Sequence, residues 1–112
     1  MDIEAVSTPT RASLAYAAGL LKVLGHPARL QILYFVEGDP ETVTAIQEHV
    51  GLTQAMTSQH LKILRESRLI RRRRAGTSIF YGITEQLGGT ILAQLRDCPV
   101  LWYEASSSDF DD

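Results

Sequence analysis

Seven of the eleven lysines and arginines in this chain fall between Lys62 and Arg74: Lys62, Arg65, Arg68, Arg71, Arg72, Arg73 and Arg74. Glu66 alone opposes them, so these 13 residues carry a formal +6, while the other 99 carry −8. A local positive field on an acidic body suits a protein that turns one face to a polyanion, whereas a net charge of −2 excludes a uniformly basic coat. Seen alone, such a cluster reads as a solvated charge run. Its neighbours decide otherwise. Just upstream, VTAIQEHVGLTQAMTSQHLKIL (Val43 to Leu64) places amides, hydroxyls and an imidazole at helical spacing: Gln54, Ser58, Gln59 and His60, with Lys62 following. Amides and hydroxyls can address base edges or phosphates, and a lysine meets phosphate as a point charge.

Other chemistry is sparse. Cys98 is the sole cysteine, so an internal disulfide and a thiolate metal site are both excluded. A lone cysteine is most economically a small buried apolar residue, with a redox switch as the alternative. His26 precedes a helical proline and His49 lies on a surface, each without a Cys or His at ligating spacing. The sequence holds no GxxxxGK, HExxH or GxSxG, so no enzyme and no cofactor are expected.

The basic and polar residues need a scaffold. Residues 1–10 read as a loose arm ending in a helix cap. Leu14, Ala17, Ala18, Leu21 and Leu24 then recur at helical spacing until Gly25. Pro27 opens a second helix that runs to Gly38. Asp39 and Pro40 start a third, with Val43, Ile46 and Val50 inward and Gly51 ending it. Thr53 caps a fourth that reaches about Ser67, on which Ala55, Met56, Leu61 and Leu64 are expected to face the core and Gln54, Ser58, Gln59, His60 and Lys62 to face outward.

The period then changes. Leu69 to Arg74 and Ser78 to Ile83 read as two strands around a turn at Ala75, Gly76 and Thr77. Strand alternation sends two of the four consecutive arginines to each face, which favours Arg72 and Arg74, with Gly76 and Thr77, as contacts. Glu85 to about Arg96 returns to helical spacing through Leu87, Ile91, Leu92 and Leu95, and Pro99 interrupts what continues to Tyr103. Residues 105–112 are polar and acidic enough for a disordered tail.

At 45% hydrophobic and 21% charged, 112 residues make one globular domain, assigned here to residues 11–104. No apolar run reaches the roughly 18 residues of a membrane span, and the start lacks the basic-then-apolar order of a secretory signal, so a cytoplasmic location with no membrane partner is expected.

The expected fold is mainly α with a small β-hairpin, a winged helix-turn-helix. Three stretches, LKVLGHPARLQIL, VGLTQAMTSQHLKILRESRLI and RRRRAGTSIFYGIT, resemble the ArsR/SmtB family of dimeric winged-helix repressors over about Leu20 to Thr84. The resemblance implies that the helix beginning near Thr53 is the recognition helix, with Thr53, Gln54, Ser58, Gln59 and His60 near DNA. It also implies homodimerisation through the first and last helices, which here supply Leu14, Ala18, Leu21, Leu87, Ile91, Leu95 and Trp102. Gln47 stands where the family has a small residue, and Thr57 where it has Val or Ile.

Many members of that family release DNA on binding metal. The site with two cysteines on the helix before the turn corresponds here to Thr42 and Thr44. The site on the last helix corresponds to Glu85, Leu87, Cys98 and Leu101. Neither set retains enough ligands for a transition metal. The reading is therefore a dimeric, sequence-specific DNA-binding regulator, a repressor at an inverted repeat released by an unassigned signal. Two alternatives are a winged-helix module for an acidic protein partner and a redox-responsive regulator acting through Cys98.

Overall fold

The computed structural model describes residues 8–99 and 101–102. In order these form α1 (Arg11–Leu24), α2 (Pro27–Gly38), β1 (Glu41–Thr42), α3 (Val43–Val50), α4 (Gln54–Glu66), β2 (Ile70–Ala75), β3 (Ser78–Ile83), a π-helical turn (Glu85–Gly89) and α5 (Thr90–Arg96). The expected tail at 105–112, Tyr103 and all but the end of the expected arm lie outside the described residues.

Threonines start four of these six helical elements. The hydroxyls of Thr10, Thr42, Thr53 and Thr84 accept hydrogen bonds from the amides of Ser13, Ala45, Met56 and Gly88 at 3.0 to 3.2 Å. Each satisfies an amide that the first helical turn leaves without a backbone acceptor. Helix α2 lacks such a bond and instead has Pro27 in its first turn. Gly51 closes α3 with φ +72°, in the left-handed region that lets α3 and α4 meet across a tight turn.

One apolar cluster holds the elements together: Ile32, Leu33 and Val36 of α2, Ile46 of α3, Leu61 and Leu64 of α4, Leu69, Ile70 and Leu92, with Leu24 at the end of α1. The remainder of α1 contributes no buried residue.

The sheet differs from the expected hairpin. It has three antiparallel strands in the order β1-β3-β2, because Glu41 and Thr42 pair with Tyr81 and Phe80 of β3. The third helix therefore starts at Val43 rather than at Asp39 and Pro40. Residues 41 and 42 join a sheet edge before the Thr42 side chain caps the helix. The last helix also starts differently, as a π-helical turn that carries the Gly88 amide to the Thr84 hydroxyl.

Candidate nucleic-acid interface

The orientation of α4 follows from Leu61 and Leu64. With these two buried, the 3.6-residue period also turns Thr57 and His60 inward, and the buried set is Thr57, His60, Leu61 and Leu64. Gln54, Ser58, Gln59 and Lys62 are exposed, as expected. Ala55 and Met56 are exposed too, Met56 at 48%, although their apolar character suggested core positions. The outward face of α4 is thus a stripe of two glutamines, a serine and a lysine, with a methionine at its edge. Thr53 is exposed and its hydroxyl oxygen is engaged in capping.

His60 requires a correction. Expected on the outer face, it is only 8% exposed, because residue 60 shares its phase with Leu64. Its Nδ1 accepts a 3.0 Å hydrogen bond from Nε of Arg29, and its ring meets His26 edge-on at 4.9 Å. Burial, then the positive charge of Arg29 and the neighbouring His26, hold its pKa below the ordinary 6.5. Thr57 solves the same problem differently: fully buried, it donates its hydroxyl to the Thr53 carbonyl at 2.8 Å.

The wing is anchored to α4 at its base. The Leu69 amide donates to the Leu64 carbonyl at 3.0 Å, and Leu69 and Ile70 are buried. Arg68 turns the chain here with φ +62°, in the left-handed region, and its carbonyl accepts from the Thr84 hydroxyl. Beyond Ile70 the strand runs along the outer edge of the sheet, and Arg71 to Arg74 are all exposed. Alternation does divide them: Arg72 pairs with Tyr81 and Arg74 with Ile79, while Arg71 pairs with Gly82 and Arg73 with Phe80. It does not bury either pair, because β2 is the outer edge strand of the sheet and no residue from Arg71 to Ala75 is covered. The expected restriction to Arg72 and Arg74 therefore has no basis in burial. Gly76 has φ +66° and lies exposed with Thr77 at the tip.

On another side of the molecule, α1 presents Leu14, Tyr16, Ala18 and Leu21 uncovered, with Leu21 67% exposed. An apolar groove of about 680 Å³ runs between α1 and α5, lined by Leu20, Leu21, Leu24, Leu95, Leu101 and Trp102 among others. Leu87, Ile91 and Leu95 are half-buried. Trp102 is 47% exposed and tethered by its Nε1, which donates to the Leu95 carbonyl at 2.9 Å.

Cys98 is exposed rather than a small buried apolar residue. Thr42 caps α3, and among the described residues no group of three or more His, Cys, Asp or Glu converges to hold a metal. No helix among them is long and apolar enough to cross a membrane.

Arg29 is the residue that sequence reasoning passed over. A single arginine in an apolar-faced helix carries no motif of its own, and its partner His60 is distant in sequence. The one available signal was the helical phase set by Leu61 and Leu64, which already turns His60 inward.

Comparison with known proteins places these features. The model of the bacterial regulatory protein arsR family matches residues 26–72, from the start of α2 into the wing. The HTH-type transcriptional regulator YgaV of Escherichia coli (strain K12) is 38% identical over 92 residues, covering 80% of this chain and 93% of that protein. The crystal structure of NolR from Sinorhizobium fredii aligns with a TM-score of 0.73 at 30% identity, over 84% of this chain and 97% of that one. The homodimeric winged helix-turn-helix DNA-binding domain of Mb0332 from Mycobacterium bovis, a possible ArsR-family regulator, aligns with a TM-score of 0.72 at 26% identity. That match covers 89% of this chain and 93% of that domain.

Proposed function

This chain belongs to the arsR family of bacterial regulatory proteins, a family of DNA-binding transcriptional regulators and not of enzymes, and from that premise we propose that it acts as a homodimeric repressor at an inverted-repeat operator. The observation that carries the reading is the exposed polar stripe of α4 standing at the root of a ribbon with four exposed arginines.

In this reading residues 11–104 are the DNA-binding and dimerising unit. Gln54, Ser58 and Gln59 enter a major groove, where amides and hydroxyls can address base edges, with Thr53 at the helix start. Lys62 and the ribbon, Arg72 and Arg74 with Gly76 and Thr77 at its tip, grip the backbone alongside. Arg71 and Arg73 are equally exposed and join them.

The exposed faces of α1 and α5 are taken up by a second copy. Burying Leu14, Ala18, Leu21, Leu87, Ile91, Leu95 and Trp102 against their symmetry mates removes apolar surface from water. The homodimeric state of the Mycobacterium bovis domain supports this reading. Two recognition helices related by a two-fold axis call for half-sites about 10 base pairs, or a multiple, apart. Occupying such a site blocks promoter access.

The test is a mobility shift on duplex DNA from upstream of the chain's own gene against scrambled duplex, with light scattering on the free protein. Retention of the native duplex at salt where the scrambled one is free, by a dimer, is the expected result. Indifference to both duplexes in dilute buffer would sink the proposal.

A further inference from the structure

Arg29 is half-buried, and among the described residues it meets no carboxylate; the ion pair there joins Arg96 to Glu37. Its two hydrogen-bond acceptors, the Val23 carbonyl at 3.2 Å and His60 Nδ1 at 3.0 Å, are both neutral. A guanidinium partly withdrawn from water and given only neutral partners leaves its charge uncompensated.

The same contact fixes the imidazole. A ring nitrogen that accepts carries no proton, so neutral His60 holds its proton on Nε2. That nitrogen has no partner among the described residues. It is not sealed in either, since no side-chain nitrogen or oxygen among them is both buried and unsatisfied. Arg29 and His60 line a cleft of about 270 Å³ together with His26, Met56 and Gln59. Among the described residues no acidic one lines it. The cleft thus combines a permanent positive charge, an N–H donor held in one tautomer and a place directly beside Gln59 on the exposed stripe of α4.

We propose that this cleft seats one backbone phosphate of the DNA, with His60 Nε2 donating to a phosphate oxygen and Arg29 supplying the charge and holding the ring as a positioning residue. The inference rests on the reading of α4 as the DNA-facing helix. It adds a contact in which α2, outside the helix pair and the wing, meets the ligand through its neighbour. A phosphate there balances the charge of Arg29 and takes up the unused donor of His60 in one step.

The experiment uses a duplex selected by the full-length chain from a random library and resynthesised with single neutral methylphosphonates along each half-site. For the wild type, one position per half-site beyond those gripped by Lys62 and the ribbon is expected to weaken binding roughly tenfold through loss of a charge-assisted contact. In Arg29→Gln that position ceases to matter, and the salt slope falls by about 0.9 per phosphate lost from the site. His60→Gln, which keeps an N–H near the place of Nε2, retains most of the affinity, whereas His60→Phe loses it. Identical methylphosphonate profiles and salt slopes for wild type and Arg29→Gln would overturn the proposal while leaving DNA binding intact. A wild type that selects no duplex overturns the α4 reading first. Should Arg29→Gln unfold, nitrogen-15 spectra of the wild-type imidazoles decide: the His60 Nε2–H resonance must move on binding DNA, and a stationary one refutes the contact.

Discussion

Gly88 packs against the Leu69 carbonyl so closely that a β-carbon on it would stand 2.5 Å from that oxygen and 2.8 Å from the side chain of Ile83. The Gly88 amide donates to Thr84 Oγ1, and that hydroxyl lies within hydrogen-bond distance of the Arg68 and Leu69 carbonyls. The end of α4, the base of the wing and the turn that starts α5 are fastened at this one point. It ties α4 and the wing to α5.

Gly88→Ala is accordingly expected to cost about 2 kcal/mol, as overpacking against backbone does, and to lower the thermal midpoint. Gly38→Ala is the matched control. Nothing lies within 4 Å of its β-carbon site and its backbone is not left-handed, so it should be neutral or stabilising by up to about 1 kcal/mol. Calorimetry of both variants checks the difference. Equal midpoints would mean that the contact is not rigid.

Base reading and backbone grip should separate by substitution. Gln59→Ala is expected to reduce the preference for operator over scrambled duplex by about 1 to 3 kcal/mol if it removes a bidentate base contact. Arg72→Ala with Arg74→Ala should weaken both duplexes together and flatten the salt dependence by about 0.9 log units per lost phosphate contact. Arg71→Ala with Arg73→Ala should do the same, since all four arginines are exposed. Fluorescence anisotropy over a salt series reads all three variants.

Leu21→Glu places a charge where α1 is otherwise apolar and uncovered, beside the groove closed on its other side by α5. Expected are a monomer by light scattering, retained helical content, and loss of operator affinity through loss of the linked second half-site. Leu14→Glu on the same helix should act alike. A dimer that survives both variants moves the interface elsewhere.

Acid should weaken the fold through His60. The groups facing it are Arg29 of α2 and His26 at the start of that helix, both opposing its protonation after burial itself. Its pKa is therefore lower folded than unfolded, and between the lowered value and 6.5 the unfolded chain binds more protons. Stability is retained above pH 6.5 and declines as pH falls from there through the lowered pKa. Melting curves of wild type and His60→Gln from pH 8 to pH 5 test this: the wild type should lose the greater share. Parallel losses would show that other groups set the acid limb.

Much of this protein was written into local sequence. Pro27, Gly51 and Gly76 together with Thr10 and Thr53 mark where elements begin, end or turn, because backbone freedom and unsatisfied amides are settled within a few residues. The glycine turn between two short strands, following a helix pair, gave the wing, and the clustering of seven basic residues gave a candidate face for a polyanion. Other features depended on distant partners. Strand β1 exists because β3 offers it an edge, and no property of Glu41 and Thr42 announces that. The inward turn of His60 and the outward turn of Met56 follow from helical phase rather than residue type, and only packing against α2 brings Arg29 to His60 across 31 positions of sequence. Residue type told which groups could do chemistry; the tertiary structure decided which way each one points, because a helix is rigid enough that two buried leucines orient every other side chain on it.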